Sequence, residues 1–240
     1  MSRDPADDRL AELTRLAGGL AHEIKNPLST MNINLQLLRE DWARESGPVA
    51  SRSVAKIDVL MHEARRLERM LADFLRLVSP NELDLATQDL GLVIEEVLAF
   101  LTPELSKRGV QVTSQLDRGL NAVVLDRNQF KQAFLNLVKN AAEAMDERGG
   151  TLTIQTSREG DQAVVNVIDT GPGMKAETRA RIFQAYFSTK ADGTGLGLSM
   201  VRRIVERHDG TVSCESEIGR GTRFRIAIPV VGPRPRTGEG

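Results

Sequence analysis

The chain has 240 residues, 40% hydrophobic and 27% charged, with 32 basic and 33 acidic side chains and a net charge of −1. That length suits one or two globular domains, and the balanced charge excludes the basic excess of a nucleic-acid or anionic-membrane binder. Cys214 stands alone, no apolar run approaches the roughly 20 residues of a membrane span, and "MSRDPADDRL" lacks the apolar core of a signal peptide; a cytoplasmic protein, or the cytoplasmic part of a larger one, is expected.

The first third is helical. Leu10, Leu13, Ala17, Leu20, Ile24, Leu28, Met31, Leu35, Leu38 and Trp42 follow one another mainly in alternating steps of three and four, the seam of a helix packed in a bundle. Inside this run "AHEIKNPLST" (21–30) sets His22, Glu23, Asn26 and Pro27 close together, although proline is costly in a helix interior. "ESGPVA" (45–50) supplies turn residues, and Val54, Ile57, Leu60, Ala64, Leu67, Leu71, Phe74 and Val78 resume bundle spacing. Two long helices around a short loop predict an antiparallel hairpin. A lone hairpin has too little core, so a second copy is the expected partner, giving a dimeric four-helix bundle. "SPNELD" (79–84) breaks the periodicity, and the expected organisation is a helical domain at 1–80, a linker at 81–86, a mixed domain at 87–231 and a disordered tail at 232–240.

The remainder alternates. "DLGLVIEEVLAFL" (89–101) is helical, "VQVTSQL" (110–116) and "AVVLD" (122–126) are strands, and "RNQFKQAFLNLVKNAAEAMDE" (127–147) is a helix with Asp126 as its cap. "TLTIQTS" and "AVVNVID" flank "REGD" (158–161) as a hairpin; "LGLSMVRRIVERH" (196–208) is a helix, and strand, turn and strand follow in 210–229. Mixed strands and helices predict an α/β sandwich with one helical layer.

Two glycine clusters carry chemistry. "DTGPGM" (169–174) follows an apolar strand, and "GTGLGLSM" (193–200) opens a helix. Glycines admit close backbone approach, and a helix N-terminus favours negative charge, so the second cluster reads as a triphosphate cradle or as a tight turn before a helix. No Gly-Lys-Ser/Thr follows, so it is not a P-loop. Asn136 and Asn140 lie one turn apart on one helix face, where neutral amides can hold Mg²⁺ and its waters.

Together these stretches resemble the histidine kinases of two-component signalling, over nearly the whole chain. "AHEIKNPL" resembles the H box, in the form found in nitrogen-regulatory kinases; "NLVKNAAEA" (136–144) the N box; "DTGPGM" the first glycine box; "IFQAYFSTK" (182–190) the F box; and "GTGLGL" the second glycine box, in the family's order. The resemblance implies a dimerisation and histidine-phosphotransfer hairpin followed by an α/β sandwich of the Bergerat type that binds ATP and Mg²⁺. By resemblance His22 accepts phosphate, Glu23 takes a proton from its ring, and Asn26 helps dephosphorylate the regulator. Asp169 accepts from the adenine amino group, Gly171 and Gly173 allow close approach beneath the base, and Thr222 adds a polar contact. Asn140 is the Mg²⁺ ligand with Asn136 in support. Gly193, Thr194, Gly195, Leu196 and Gly197 clasp the phosphates, and Lys190 meets the γ-phosphate or is a solvated lysine. Phe183 and Phe187 anchor a lid over about 184–194 or pack in the core.

The wider superfamily includes hydrolases such as DNA gyrase and MutL, which carry a glutamate where this chain has Asn136; an amide is a poor base, so the site is expected to hold ATP rather than hydrolyse it. Of the three histidines, His22 alone sits beside a carboxylate, while His62 and His208 read as structural. The expected partners are a response-regulator receiver domain and a second copy of the chain, with the stimulus arriving either through a separate sensor protein or through an N-terminal module outside this sequence. A regulatory module that dimerises but transfers little phosphate is the alternative.

Overall fold

A computed structural model describes the backbone of residues 5–45, 47–78, 82–145, 149–190 and 193–231; the side chains of residues 5–23, 69, 73, 74 and 76–78 fall outside the described set. The chain divides into two compact units, residues 1–81 with 188–196, and residues 82–187 with 197–240.

The first unit is built on α1 (Pro5–Arg44) and α2 (Pro48–Val78), and α1 continues on both sides of Pro27. The bundle spacing seen in the sequence resolves into two stripes. Leu28, Ala50, Ile57, Met61 and Ala64 are buried, and Arg39 Nε donates to Asp58 Oδ1 at 2.6 Å across the pair. Ile24, Met31 and Leu38, seven residues apart, remain exposed, as do Leu60 and Leu67 on α2. A helix in a four-helix bundle has neighbours on two sides, and the hairpin supplies only one of them.

In the second unit β1 (Leu85–Gln88) pairs antiparallel with β3 (Val123–Asp126). The linker expected at 81–86 is therefore too long: Leu85 and Ala86 are strand residues. A four-residue strand with mostly exposed side chains is held by backbone pairing and shows no alternation to detect. Residue 81 and the expected tail at 232–240 lie outside the described residues.

The helices begin where the sequence provides caps. Asp89 Oδ1 accepts the Leu92 N–H at 3.0 Å to open α3 (Leu90–Lys107), and Asp126 Oδ1 accepts the Gln129 N–H at 2.9 Å to open α4 (Arg127–Ala144). β2 (Val110–Gln115), β4 (Gly150–Glu159), β5 (Gln162–Asp169), β6 (Thr211–Glu217) and β7 (Gly221–Pro229) form one sheet in the order β2-β4-β5-β7-β6, with β2 parallel to β4 and the other pairs antiparallel. Helices α3, α4 and α6 (Gly197–Arg207) pack against it. Phe130, Phe134, Leu137, Leu152, Ile154, Val165 and Ile226 are buried in its core. The expected helical hairpin and α/β sandwich are both present, with a short helix α5 (Ala176–Arg179) that the sequence did not announce.

Candidate functional site

β5 ends on Asp169, whose residue is only 3% exposed. Its Oδ1 accepts the Gly171 N–H at 2.9 Å and the Thr222 N–H at 3.2 Å. Thr222 lies directly opposite Asp169 in the β5–β7 ladder, so two residues far apart in sequence share one spot through strand register. Ser216 Oγ donates to the Gly221 carbonyl at 3.0 Å, so across the 3.0 Å Ser216–Thr222 contact the threonine hydroxyl is the donor. The Thr222 oxygen keeps lone pairs for a ligand donor.

The glycines beside this pair are sterically required. A Cβ on Gly171 would stand 2.9 Å from Asp169 Oδ1 and 3.2 Å from the Ala144 Cβ. Gly173 has φ +69, and a Cβ there would strike the Glu217 carbonyl oxygen. Pro172 O accepts the Gly219 N–H at 2.8 Å, so the "DTGPGM" turn is strapped to the β6–β7 turn. Gly221 belongs to the same arrangement and was missed in the sequence: its φ is +88 and a Cβ would strike the Asp169 carbonyl. Its only signal was its place in "GRGT", beside Thr222.

Helix α4 brings the asparagines. Asn136 Nδ2 donates to the Gly197 carbonyl at 3.3 Å, and its Oδ1 accepts from Gln132 Nε2 at 3.4 Å. Asn140, half-buried one turn further on, makes no side-chain hydrogen bond among the described residues. Another turn on is Ala144, the residue beside Gly171. Asp169, Thr222, Gly171 and Gly173 thus form one cluster, Asn136 meets Gly197, and Asn140 lies on α4 between Asn136 and Ala144, the residue beside Gly171.

Lys190, Gly193, Thr194, Gly195 and Leu196 fall in the segment 188–196 that groups with the first unit. Locally, Ser188 Oγ donates to the Lys190 carbonyl at 3.2 Å and accepts its N–H at 3.1 Å, and a Cβ on Gly193 would strike that hydroxyl. Gly195 has φ +69, and Thr194 Oγ1 accepts the Leu196 N–H at 3.4 Å. Residues 191 and 192 lie outside the described set. Phe183 meets Phe224 edge to face at 6.4 Å, and the Arg181 guanidinium sits 4.3 Å over the Phe187 ring, so ring packing holds this part of the F box.

His22 and Glu23 lie in α1, with their side chains outside the described residues. Asn26 is exposed, and its carbonyl accepts the Thr30 hydroxyl at 3.1 Å. Two other candidate nucleophiles are unsuited to reaction: burial pushes the Cys214 thiol up to about 12, and His208 is 2% exposed with both ring nitrogens engaged. Among the described residues no group of three His, Cys, Asp or Glu side chains can hold a metal ion, and no helix is long and apolar enough to cross a membrane.

Comparison with known proteins gives concordant matches. Residues 125–232 match the family described as histidine kinase-, DNA gyrase B-, and HSP90-like ATPase, and residues 12–83 match the His Kinase A (phospho-acceptor) domain. Sensor histidine kinase ZraS of Klebsiella oxytoca is 39% identical over 226 residues, 94% of this chain and 48% of that protein. The chain spans about half the length of the curated relatives it matches. The catalytic domain of histidine kinase ThkA is 31% identical with a TM-score of 0.57, covering 62% of this chain and 99% of that one. ThkA in complex with response regulator protein TrrA aligns at 26% identity and a TM-score of 0.66, covering 95% of this chain and 64% of that one.

Proposed function

The chain belongs to the two-component sensor histidine kinases, and on that premise we propose that it binds Mg²⁺–ATP in its α/β unit, takes the γ-phosphoryl group onto His22, and passes it to an aspartate of a response-regulator receiver domain. The observation that carries the nucleotide reading is the buried Asp169 carboxylate, set beside Thr222 and floored by glycines that admit no side chain. A carboxylate accepts, so it selects a base with an exocyclic amine.

The donor set fits a magnesium nucleotide. Mg²⁺ is commonly held by one or two protein oxygens plus phosphates and water, and the Asn140 amide oxygen supplies such a ligand without adding negative charge. When bound, the ion would supply neutralisation of the phosphate charge. Gly193 to Gly197 present backbone N–H groups to the phosphates, with Lys190 as a counter-charge. Asn136, already bonded to Gly197 O and Gln132, holds its helix against that of the glycine box and has no basicity with which to activate water. The phosphoryl group therefore passes to imidazole: one nitrogen of His22 attacks phosphorus, the bond to the ADP oxygen breaks, and Glu23 receives the proton of the other nitrogen. Asn26 orients a water during dephosphorylation of the regulator. The exposed stripe through Ile24, Met31, Leu38, Leu60 and Leu67 joins a second copy in a four-helix bundle. The helical domain ends near residue 80, and the catalytic domain begins with β1.

The test is incorporation of γ-labelled phosphate into the purified chain. The parent is expected to gain an acid-labile, alkali-stable label that a receiver domain removes, and His22→Gln to gain none while still binding ATP. Equal labelling of the two removes His22, and nucleotide binding without any label favours a regulatory module.

A further inference from the structure

The polar groups joining α4 to α6 form an unassigned device. The two helices already touch through the Asn136–Gly197 hydrogen bond near the start of α6. A second fastening lies at their opposite ends. His208 follows the last turn of α6, and its Nε2 accepts the backbone N–H of Asp126 at 3.0 Å. Its Nδ1 lies 2.8 Å from the Ile204 carbonyl, which can only accept, so Nδ1 carries the proton and the ring is held in one tautomer. Asp126 is the cap of α4: Oδ1 takes the Gln129 N–H, and Oδ2 takes the Asp84 N–H and Gln129 Nε2, both at 3.1 Å. Arg207 completes the cluster by donating to Gln129 Oε1 at 2.9 Å.

A buried backbone N–H needs an acceptor, and at Asp126 the acceptor comes from α6. Neutral imidazole does this while donating back to its own helix, so it ties the end of α6 to the start of α4 without bringing in a charge. We propose that His208 is a positioning residue for the nucleotide site, a clamp that sets the register of the asparagine-bearing helix α4 against the glycine-box helix α6.

The clamp works in one protonation state. A proton on Nε2 would turn a donor toward the Asp126 N–H, a donor facing a donor. The charged groups around the ring are Asp126 on α4, Arg207 on α6 and Asp209 after it, with Asp84 bonded to the far oxygen of Asp126. Desolvation dominates this balance and lowers the pKa of the imidazole below its ordinary value, so the clamp is closed at neutral pH and opens in acid.

This inference rests on the nucleotide reading, and the experiment separates the two. Affinity for a Mg²⁺–non-hydrolysable ATP analogue is measured by calorimetry on the parent, His208→Phe and His208→Gln, with circular dichroism to establish folding. His208→Phe preserves the ring but neither hydrogen bond. It is expected to remain folded at low temperature and bind about fivefold to tenfold more weakly, the effect of losing one or two buried hydrogen bonds. His208→Gln keeps an acceptor and is expected to restore most of the affinity. As the pH falls through the lowered pKa of His208, with circular dichroism marking the range in which the protein stays folded, the parent is expected to lose affinity more steeply than His208→Gln. A His208→Phe protein that melts earlier but binds nucleotide as the parent does would show a purely structural role and overturn the inference. Should His208→Phe not fold, the pH profiles decide: parallel profiles for parent and His208→Gln overturn it. A parent without nucleotide affinity overturns the nucleotide reading itself, and this inference with it.

Discussion

Replacing Asp169 with asparagine separates a binding role from a structural one. The carboxylate is 3% exposed and accepts two backbone N–H groups, from Gly171 and Thr222, through one oxygen. Asparagine keeps an oxygen at that position, so both bonds survive but lose their charged acceptor. Hydrogen bonds to charged groups are worth about 1.5–3 kcal/mol, against about 0.5–1.5 for neutral ones, a difference near 1 kcal/mol per bond and about 2 kcal/mol in all. For a unit of this size that lowers Tm by roughly 4–8 °C. Binding should suffer more selectively. With its oxygen held inward, the asparagine turns its NH₂ toward the adenine amine, replacing an acceptor by a donor. Losing that charge-assisted bond weakens affinity about tenfold to a hundredfold. Calorimetry with a Mg²⁺–ATP analogue, at a temperature where both proteins are folded, measures this directly. Selectivity is the sharper readout, because guanine presents an oxygen where adenine presents the amine: preference for ATP over GTP should shrink in the variant. A variant with the lower Tm but unchanged affinity and unchanged ATP preference would refute the reasoning and leave Asp169 a structural carboxylate.

Three further outcomes are expected. Asn26→Ala should keep labelling on His22 and transfer to the regulator but no longer speed regulator dephosphorylation; decay rates of the phosphorylated receiver with parent and variant, in the presence of nucleotide, measure this, and equal acceleration by both would exclude the role. Leu60→Glu puts a charge on the exposed stripe of α2 and, by symmetry, deletes two buried leucines per dimer, about 3–6 kcal/mol; analytical ultracentrifugation should show a monomer, and a parent-like dimer would move the interface elsewhere. The stability of the α/β unit should fall in acid: with the pKa of His208 lowered by burial in the folded state, the unfolded chain binds the extra proton, so this contribution is complete above pH 6.5 and declines below it, by at most about 1.4 kcal/mol per pH unit, as denaturation midpoints from pH 8 to pH 5 would record.

The fold was legible where a local pattern carried it. Steps of three and four gave both long helices, and an aspartate before an apolar-periodic run gave the cap of α4. The steps did not reveal that they serve two seams, because residues facing the sister helix and residues facing outward are apolar alike. β1 escaped because four exposed residues paired only through their backbone carry no side-chain signal. At the site, Asp169 was visible as a carboxylate closing an apolar strand, and Thr222 came by resemblance. Gly221 was missed because its need for glycine arises from the Asp169 carbonyl across the ladder. The acceptor role of His208 was equally hidden, its donor lying 82 residues away.

Two asparagines show why residue type alone does not settle a chemical role. An amide can orient a water molecule, so Asn136 and Asn26 are interchangeable on paper. Asn136 is half-buried, with its nitrogen bonded to the Gly197 carbonyl and its oxygen to Gln132. Swinging it onto a water would break the contact that ties α4 to the start of α6, a structural cost that an enzyme built for hydrolysis would not accept at that position. Asn26 is exposed, and the hydrogen bond made by its residue to Thr30 uses the backbone carbonyl rather than the side chain. Its amide can meet a partner without breaking anything. On the proposed function, the same side chain would keep water from ATP in one unit and present water to a phosphorylated partner in the other. Such a division would let one chain add and remove phosphate without the two reactions sharing a site.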